Sequence, residues 1–143
     1  SHTVPDGFAQ DKITLQLAND QRAVTGVALD RDNLLTVYVL GHLTTPVTQA
    51  NVATYASELE RAIHQNLGGV PISGQQPTTL AGTFAFRYHA RPIRRKDGSV
   101  ISEDQIYVFH GIHEVRVGCQ YTPAQKAKVL AGCSNLLATL RVS

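Results

Sequence analysis

The end of the sequence combines a strand pattern with a helix pattern, and each carries one of the chain's two cysteines. Residues 115–121 alternate apolar and polar side chains, which is typical of a β-strand and places Cys119 on its apolar face. Thr122 and Pro123 then supply a helix cap and a first helical residue. Cys133 recurs at helical spacing with the apolar residues Val129, Leu130, Leu136, Leu137 and Leu140. We expect the two apolar surfaces to face each other, which predicts a disulfide between Cys119 and Cys133.

The predicted disulfide bears on where the protein functions. Structural disulfides persist in oxidising compartments, so the bridge favours an exported protein of the cell envelope or periplasm. The alternative is a pair of buried free thiols in a cytosolic protein. The chain-entropy model predicts that a disulfide closing a loop this short stabilises the fold by about 3 kcal/mol. A chain of 143 residues therefore depends mainly on packing for its stability.

Composition and charge narrow the classes of partner. A formal net charge of +2 is too small to predict binding to nucleic acid or to an anionic membrane. The sequence has no apolar run of about 20 residues, so it predicts no membrane span. Ser1 and His2 resemble an expression scar. We therefore expect residues 1–4 to be a tag scar or a disordered linker, in a protein whose targeting segment or lipoprotein linker has been removed.

The first half of the chain predicts a meander of three strands at 12–17, 23–29 and 34–40. The third of these is apolar on both faces, which is typical of a central strand that is covered from two sides. Further along, residues 70–79 contain two prolines and a glycine, and we expect them to form an irregular edge element of the sheet.

A helix is predicted between these strand regions, with Thr48 or Asn51 as its cap and an end near Asn66. Gly68 and Gly69 terminate it, because glycine readily adopts positive φ. The residues predicted to face the sheet are Val52, Tyr55, Leu59, Ile63 and Leu67, and those predicted to face away are Glu58, Glu60, Arg61 and Gln65.

Two turns set the expected register of a second meander. Asp97 with Gly98 predicts a two-residue type I′ turn, and Gly111 with Ile112 predicts a type II′ turn. The residues then expected opposite each other are Lys96 and Ser99, His110 and His113, Tyr88 and Tyr107, Phe86 and Phe109, His89 and Ile106, Arg87 and Val108, Val108 and Val115, and Ile106 and Val117. Both faces of this meander are apolar enough to need a cover.

These patterns predict one domain over residues 1–143 with an α+β fold. The expected architecture is a three-layer α/β/α sandwich, in which a mostly antiparallel sheet is covered by two helices. The final helix covers the face that carries Cys119, and the helix at 52–67 covers the aromatic face of the second meander.

Several passages carry a resemblance to a known group of proteins: Arg87-Tyr88, Asp97-Gly98, residues 115–121, Gly132-Cys133 and residues 137–142. With the order of elements, they resemble the PsbP-like superfamily, which includes photosynthetic extrinsic proteins, a Ran-binding protein, DcrB-type proteins and the LpqN lipoproteins. The C-terminal part of the chain looks most like a domain of actinobacterial proteins associated with type VII secretion. Residues 4–8 also resemble the start of DcrB-related domains.

The resemblance implies a non-catalytic domain of the cell envelope or secretion machinery that binds a protein partner or an apolar ligand. Some DcrB-related domains act as chaperones for secreted effectors, so a chaperone or adaptor is the alternative. The superfamily has no strict catalytic motif that we know of. No residue therefore inherits a chemical role from it, and we expect no cofactor.

A cluster of basic residues near the first turn is the candidate partner-binding surface. It consists of Arg91, Arg94, Arg95 and Lys96. Such a tip suits an acidic partner or a phosphate-bearing surface. The alternative is a solvated hairpin whose charge is compensated, because the expected register places Arg91 opposite Asp104.

His110 and His113 flank the second turn and are weak candidates for a metal site. A third ligand is missing nearby, since Glu114 points to the other face, so we expect a surface pair of histidines and no metal. The sequence has no nucleophile elbow, Walker loop or paired-histidine helix, so we predict no catalytic residues. A small hydrolase with a triad built from distant residues is a further alternative. A histidine, a carboxylate and a hydroxyl in one pocket would favour it.

Overall fold

The computed structural model describes residues 9–11, 21–66, 72–80, 83–90 and 92–139. They form a mixed α+β fold with one large antiparallel sheet and two helices. The strands are β1 Ala9–Asp11, β2 Gln21–Ala28, β3 Leu34–His42, β4 Ile72–Leu80, β5 Thr83–Ala90, β6 Ile93–Arg94, β7 Val100–His110 and β8 His113–Tyr121. The helices are α1 Val52–Asn66 and α2 Lys126–Thr139, the second preceded by a single 3₁₀ turn, Pro123–Gln125. Neither described helix is both long and apolar enough to cross a bilayer.

The strands follow the order β1-β2-β3-β8-β7-β5-β4, and β6 pairs with β7. The prediction that residues 34–40 form a central strand is confirmed, because β3 lies between β2 and β8. The expected edge element is β4, whose pairing with β5 shifts register between Ser73 and Gln76. The predicted strand at 12–17 and the predicted linker at 1–4 lie outside the described residues.

Two apolar clusters lie on opposite faces of the sheet, because side chains alternate along each strand. On β7, Val108 belongs to one cluster and Tyr107 to the other. The first cluster contains residues of α2. The second, here called the aromatic cluster, contains residues of α1 together with Phe86, Tyr88, Tyr107 and Phe109. A disulfide joins Cys119 on β8 to Cys133 on α2, with Sγ atoms 1.97 Å apart and Cα atoms 6.1 Å apart. It ties α2 to the centre of the sheet.

Helix α1 presents the predicted face to the sheet. Ile63 is buried in the aromatic cluster, and the other predicted residues that pack there are Val52, Tyr55 and Leu59. Ala56 is also buried, and Glu60, expected to point outward, is half-buried. At the start of the helix, the Asn51 side-chain oxygen accepts a hydrogen bond from the Thr48 backbone N–H at 2.7 Å. Leu67, Gly68 and Gly69 lie outside the described residues.

The predicted register of β7 against β8 is confirmed. His110 faces His113, Val108 faces Val115 and Ile106 faces Val117. The two-residue loop between them contains Gly111 at a φ of 59°, a conformation that glycine adopts without steric cost.

The predicted register of β5 against β7 is wrong by two residues. Tyr88 lies opposite Gln105, and Phe86 lies opposite Tyr107. One step of the shift comes from the turn, where the Arg95 N–H donates to the Ser99 carbonyl at 2.8 Å. The loop therefore has three residues, 96–98, with Gly98 at a φ of 86°.

The second residue of the shift arises between β5 and β6, because the register of β6 on β7 differs by one residue from the register of β5 on β7. An even total shift returns each side chain to its predicted face, since the side-chain period of a strand is two. The faces of β5 were therefore predicted correctly, although the cross-strand partners were not.

Candidate functional site

Asp104 is a fully buried carboxylate on the face of the sheet that α2 covers. It shares that face with Ile106 and Val108, the neighbouring residues at even positions of β7. By register it lies between His89 on β5 and Cys119 on β8. A charged group in this position is costly to bury unless its oxygens are bonded.

Three side chains bond the Asp104 carboxylate. Arg87 donates to Oδ2 through Nε at 3.2 Å and through Nη2 at 2.6 Å. His89 places Nδ1 2.5 Å from Oδ1, and the Tyr121 hydroxyl donates to the same oxygen at 3.3 Å. Burial, together with the nearby Asp104 charge, raises the pKa of Tyr121, so its hydroxyl stays protonated as a donor. Both carboxylate oxygens are thus occupied.

The cluster contains a histidine, a carboxylate and a hydroxyl, so it bears on the hydrolase alternative. In a catalytic triad the carboxylate holds one imidazole nitrogen, and the nucleophilic hydroxyl lies on the other. His89 and Asp104 reproduce the first contact. The Tyr121 hydroxyl lies on the carboxylate instead of on the imidazole. Tyr121 therefore stands on the wrong side to be activated by His89.

The sequence did not predict this cluster, because the expected register placed Arg91 opposite Asp104. His89 is the observed partner, and Arg91 lies outside the described residues. One signal was available. A carboxylate at an apolar-facing position of a strand requires a bonded partner, and Arg87 and His89 occupy the same face of the neighbouring strand.

The basic tip between β6 and β7 contains one arginine that is held by hydrogen bonds and two basic side chains that are exposed. Arg95 donates to Ser99 Oγ at 2.8 Å and pairs with Asp32 at 2.8 Å. The hydrogen bond from Arg95 lowers the pKa of Asp32. Arg94 and Lys96 are exposed, and beside them Ile93 is 55% exposed. Three of the four predicted partner-binding residues are thus at the tip, and Arg91 falls outside the described residues.

The two turn histidines face each other as the register predicts. His110 is exposed and His113 is half-buried, and His42 of β3 is the backbone partner of His113 on its other side. Among the described side chains, no group of three histidine, cysteine, aspartate or glutamate residues could hold a metal ion. The expectation that His110 and His113 are a surface pair without a metal stays a prediction.

The opposite face of the sheet carries a second polar network beyond the aromatic cluster. The Tyr107 hydroxyl donates to Gln105 at 3.0 Å, and the Gln105 amide donates to Glu103 at 3.3 Å. Burial raises the pKa of Glu103. The Arg116 guanidinium lies 4.5 Å from the Tyr38 ring centroid, which is within cation–π range.

Within the described residues, two buried polar atoms on this face have no hydrogen-bond partner: Tyr88 Oη and Arg116 Nε. Burial raises the pKa of Tyr88, and the Glu60 carboxylate adds to the shift. On folding, the Tyr88 hydroxyl therefore loses its hydrogen bonds to water without gaining one in the protein, which is unfavourable for stability.

Comparisons with known proteins bear on the fold. No protein-family model matches the chain, and no curated protein matches it by sequence. Among solved structures, it is similar to the solution structure of cyanobacterial PsbP (CyanoP) from Synechocystis sp. PCC 6803. The TM-score is 0.60 at 9% identity, over 97% of this chain and 84% of that chain. Similarity at this identity shows a PsbP-like fold and transfers no residue role.

Proposed function

We propose that this chain is an exported, non-catalytic accessory domain of the cell envelope or secretion machinery that binds a protein partner. The observation that carries the proposal is the disulfide between Cys119 and Cys133, which are 0% and 1% exposed. A bridge buried at the centre of a core is structural, and structural disulfides belong to oxidising compartments. The PsbP-like fold supports an accessory role.

The proposed architecture is the three-layer α/β/α sandwich. It is supported by the position of the two helices, because α2 packs against β8 and β3 on one face, and α1 contributes to the aromatic cluster on the other. A sheet covered on both faces leaves partner binding to its edges, ends and loops.

The tip between β6 and β7 is the proposed partner-binding surface. Arg94 and Lys96 present exposed positive charge on either side of Arg95, which holds the tip against Asp32. Ile93 adds an exposed apolar side chain that a partner would cover. We therefore propose an acidic partner with an apolar contact residue, bound at the tip, and Arg91 stays a predicted member of this surface.

The resemblance supports a finer assignment to actinobacterial proteins associated with type VII secretion or to LpqN-like lipoproteins. The alternative, a DcrB-related chaperone, needs a contiguous apolar surface. In the described part of the chain, the exposed large apolar residues are Ile93 and Ile112, which lie next to opposite ends of β7. This separation gives the chaperone alternative no support.

The test is crosslinking of the tagged domain in the envelope fraction of its native cell. Charge reversal at the tip, with Arg94→Glu and Lys96→Glu together, should abolish the crosslinked partner without lowering the stability of the domain, since both side chains are exposed. The matched control is Arg61→Glu, an exposed arginine on α1, which should retain the partner. Equal crosslinking by the tip variant and the control would refute the tip as the binding surface.

A further inference from the structure

The Asp104 cluster leaves two of its donor groups available. Asp104 is bonded by Nε and Nη2 of Arg87 and by Nδ1 of His89. These bonds to Asp104 use neither Arg87 Nη1 nor His89 Nε2. The two side chains are 35% and 49% exposed, whereas the carboxylate that holds them is 0% exposed. Solvent therefore reaches the Arg87 and His89 side chains but not the carboxylate that anchors them.

The packing of α2 explains why this part of the sheet is open. The helix lies mainly against β8 and β3, and among the described residues of β5 the apolar cluster that includes α2 contains Ala85 but neither Arg87 nor His89. Along β5, exposure on this face rises from buried Ala85 through Arg87 to exposed His89. Arg87 and His89 thus form a partly exposed pair beside Tyr121, the member of the first apolar cluster that contacts Asp104.

The net charge around Arg87 and His89 is positive. Lys126, the first residue of α2, lies with Nζ 5.9 Å from the Tyr121 ring centroid, and Tyr121 in turn contacts Asp104. The first turn of α2 has no acidic residue. Arg87 and Lys126 outweigh the single charge of Asp104, and the N-terminus of a helix adds further positive potential.

The buried aspartate is better explained by orientation than by stability. A buried ion pair is often no more stable than apolar side chains of the same volume, so its presence alone is weak evidence for a stabilising role. Its effect here is to fix an arginine and a histidine side by side, two residues apart on one strand face. Donors fixed in advance lose little entropy when they bind an anion.

We propose that Arg87 and His89, held in place by Asp104, form a binding site for an oxyanion, the carboxylate or phosphate group of a ligand. Arginine donates to such groups in a planar fork, and histidine adds a second donor direction. The site is separate from the tip between β6 and β7, and its test needs no partner protein. Failure of one proposal therefore leaves the other standing.

The experiment is a titration of the isotope-labelled domain with sodium phosphate and, separately, sodium acetate, followed by backbone and side-chain NMR at constant ionic strength. We expect saturating shifts centred on Arg87 and His89. The probe that saturates at lower concentration identifies the group, phosphate or carboxylate. Shifts spread over all basic residues, or reproduced by sodium chloride, would show general screening and overturn the proposal.

The key variant is His89→Asn, because the asparagine amide can replace Nδ1 as a donor to Asp104 while the Nε2 donor is lost. Loss of one charge-assisted hydrogen bond should weaken binding about tenfold. The matched controls are His64→Asn and Arg61→Gln, both at exposed positions of α1, which should bind as the parent does. Unchanged binding by a folded His89→Asn protein would overturn the proposal.

Arg87→Lys is a second variant. Lysine keeps the charge that neutralises Asp104 but loses the fork of the guanidinium. It should therefore weaken anion binding in a protein that still folds, which urea denaturation checks. If Arg87→Lys binds both anions with parent affinity, the site does not use the guanidinium and the proposal fails.

Discussion

The side-chain oxygen of Asn33 accepts two hydrogen bonds from Thr122, one from its backbone N–H at 2.7 Å and one from its hydroxyl at 3.2 Å. The Asn33 amide also donates to both carboxylate oxygens of Asp30, at 2.9 and 3.1 Å. Asn33 is only 3% exposed. It connects the turn between β2 and β3 to the chain segment that leads from β8 into α2.

Replacement of Asn33 should destabilise the domain. Asn33→Ala leaves the Thr122 donors and the Asp30 carboxylate without this partner, and we expect a loss of about 2 kcal/mol in the free energy of unfolding. Urea denaturation measures it. Gln65→Ala, at an exposed position of α1, is the control and should change the midpoint little. A similar effect for both variants would mean that the Asn33 contacts are not specific.

Two buried tyrosines should respond oppositely to loss of their hydroxyl. Tyr88→Phe removes a buried hydroxyl that has no partner in the described part of the chain, and stability should rise by about 1 kcal/mol. Tyr121→Phe removes a hydrogen bond to buried Asp104, and stability should fall by about 2 kcal/mol. Thermal and urea unfolding of the two variants provide the comparison. A loss on Tyr88→Phe as large as that on Tyr121→Phe would show that the Tyr88 hydroxyl is bonded.

Glu103 should make stability depend on pH in the direction opposite to that of a paired carboxylate. Burial raises its pKa, so its contribution to stability is present at low pH and is lost as pH rises through the folded-state pKa. Glu103→Gln removes the ionisable group and keeps an acceptor for Gln105. The variant should be more stable than the parent near neutral pH, with the difference shrinking in acid. A midpoint difference that does not change with pH would contradict a raised pKa.

Gly118 is required by its neighbours across the strands and not by its own φ. A Cβ at this position would lie 2.7 Å from Thr36 Oγ1 and 2.9 Å from Glu103 Oε1. Glu103 can move at its flexible end, but Thr36 is buried and branched at Cβ. We expect Gly118→Ala to cost about 1–3 kcal/mol. The same substitution in a Thr36→Ala background should cost less, and equal costs in both backgrounds would rule out the contact.

Elements specified by nearby residues were predictable from the sequence. The periodicity of α1 identified its buried face, and the turn at Gly111 fixed the register of β7 and β8, because loop length alone sets the pairing in a tight hairpin. Cys119 and Cys133 were placed on facing surfaces by period-two and helical spacing. In each case one short stretch of sequence was sufficient.

The register of β5 was not predictable, because it depends on two irregularities that add up. The loop at 96–98 is one residue longer than expected, and a second offset lies between β5 and β6. Neither has a clear sequence signal. The contact between His89 and Asp104 depends on both, so this cross-strand pairing could not be predicted, although the sequence does place Arg87, His89 and Asp104 on one face of the sheet.

The oxidation state of Cys119 and Cys133 in the native cell tests the central claim of export most directly. Cells are quenched in acid, free thiols are blocked with N-ethylmaleimide before any reductant is added, and the intact mass of the isolated protein is measured. We predict no adduct before reduction and two adducts when blocking follows reduction. Protein that carries two adducts before reduction would contradict an oxidising compartment, and with it the proposed envelope function.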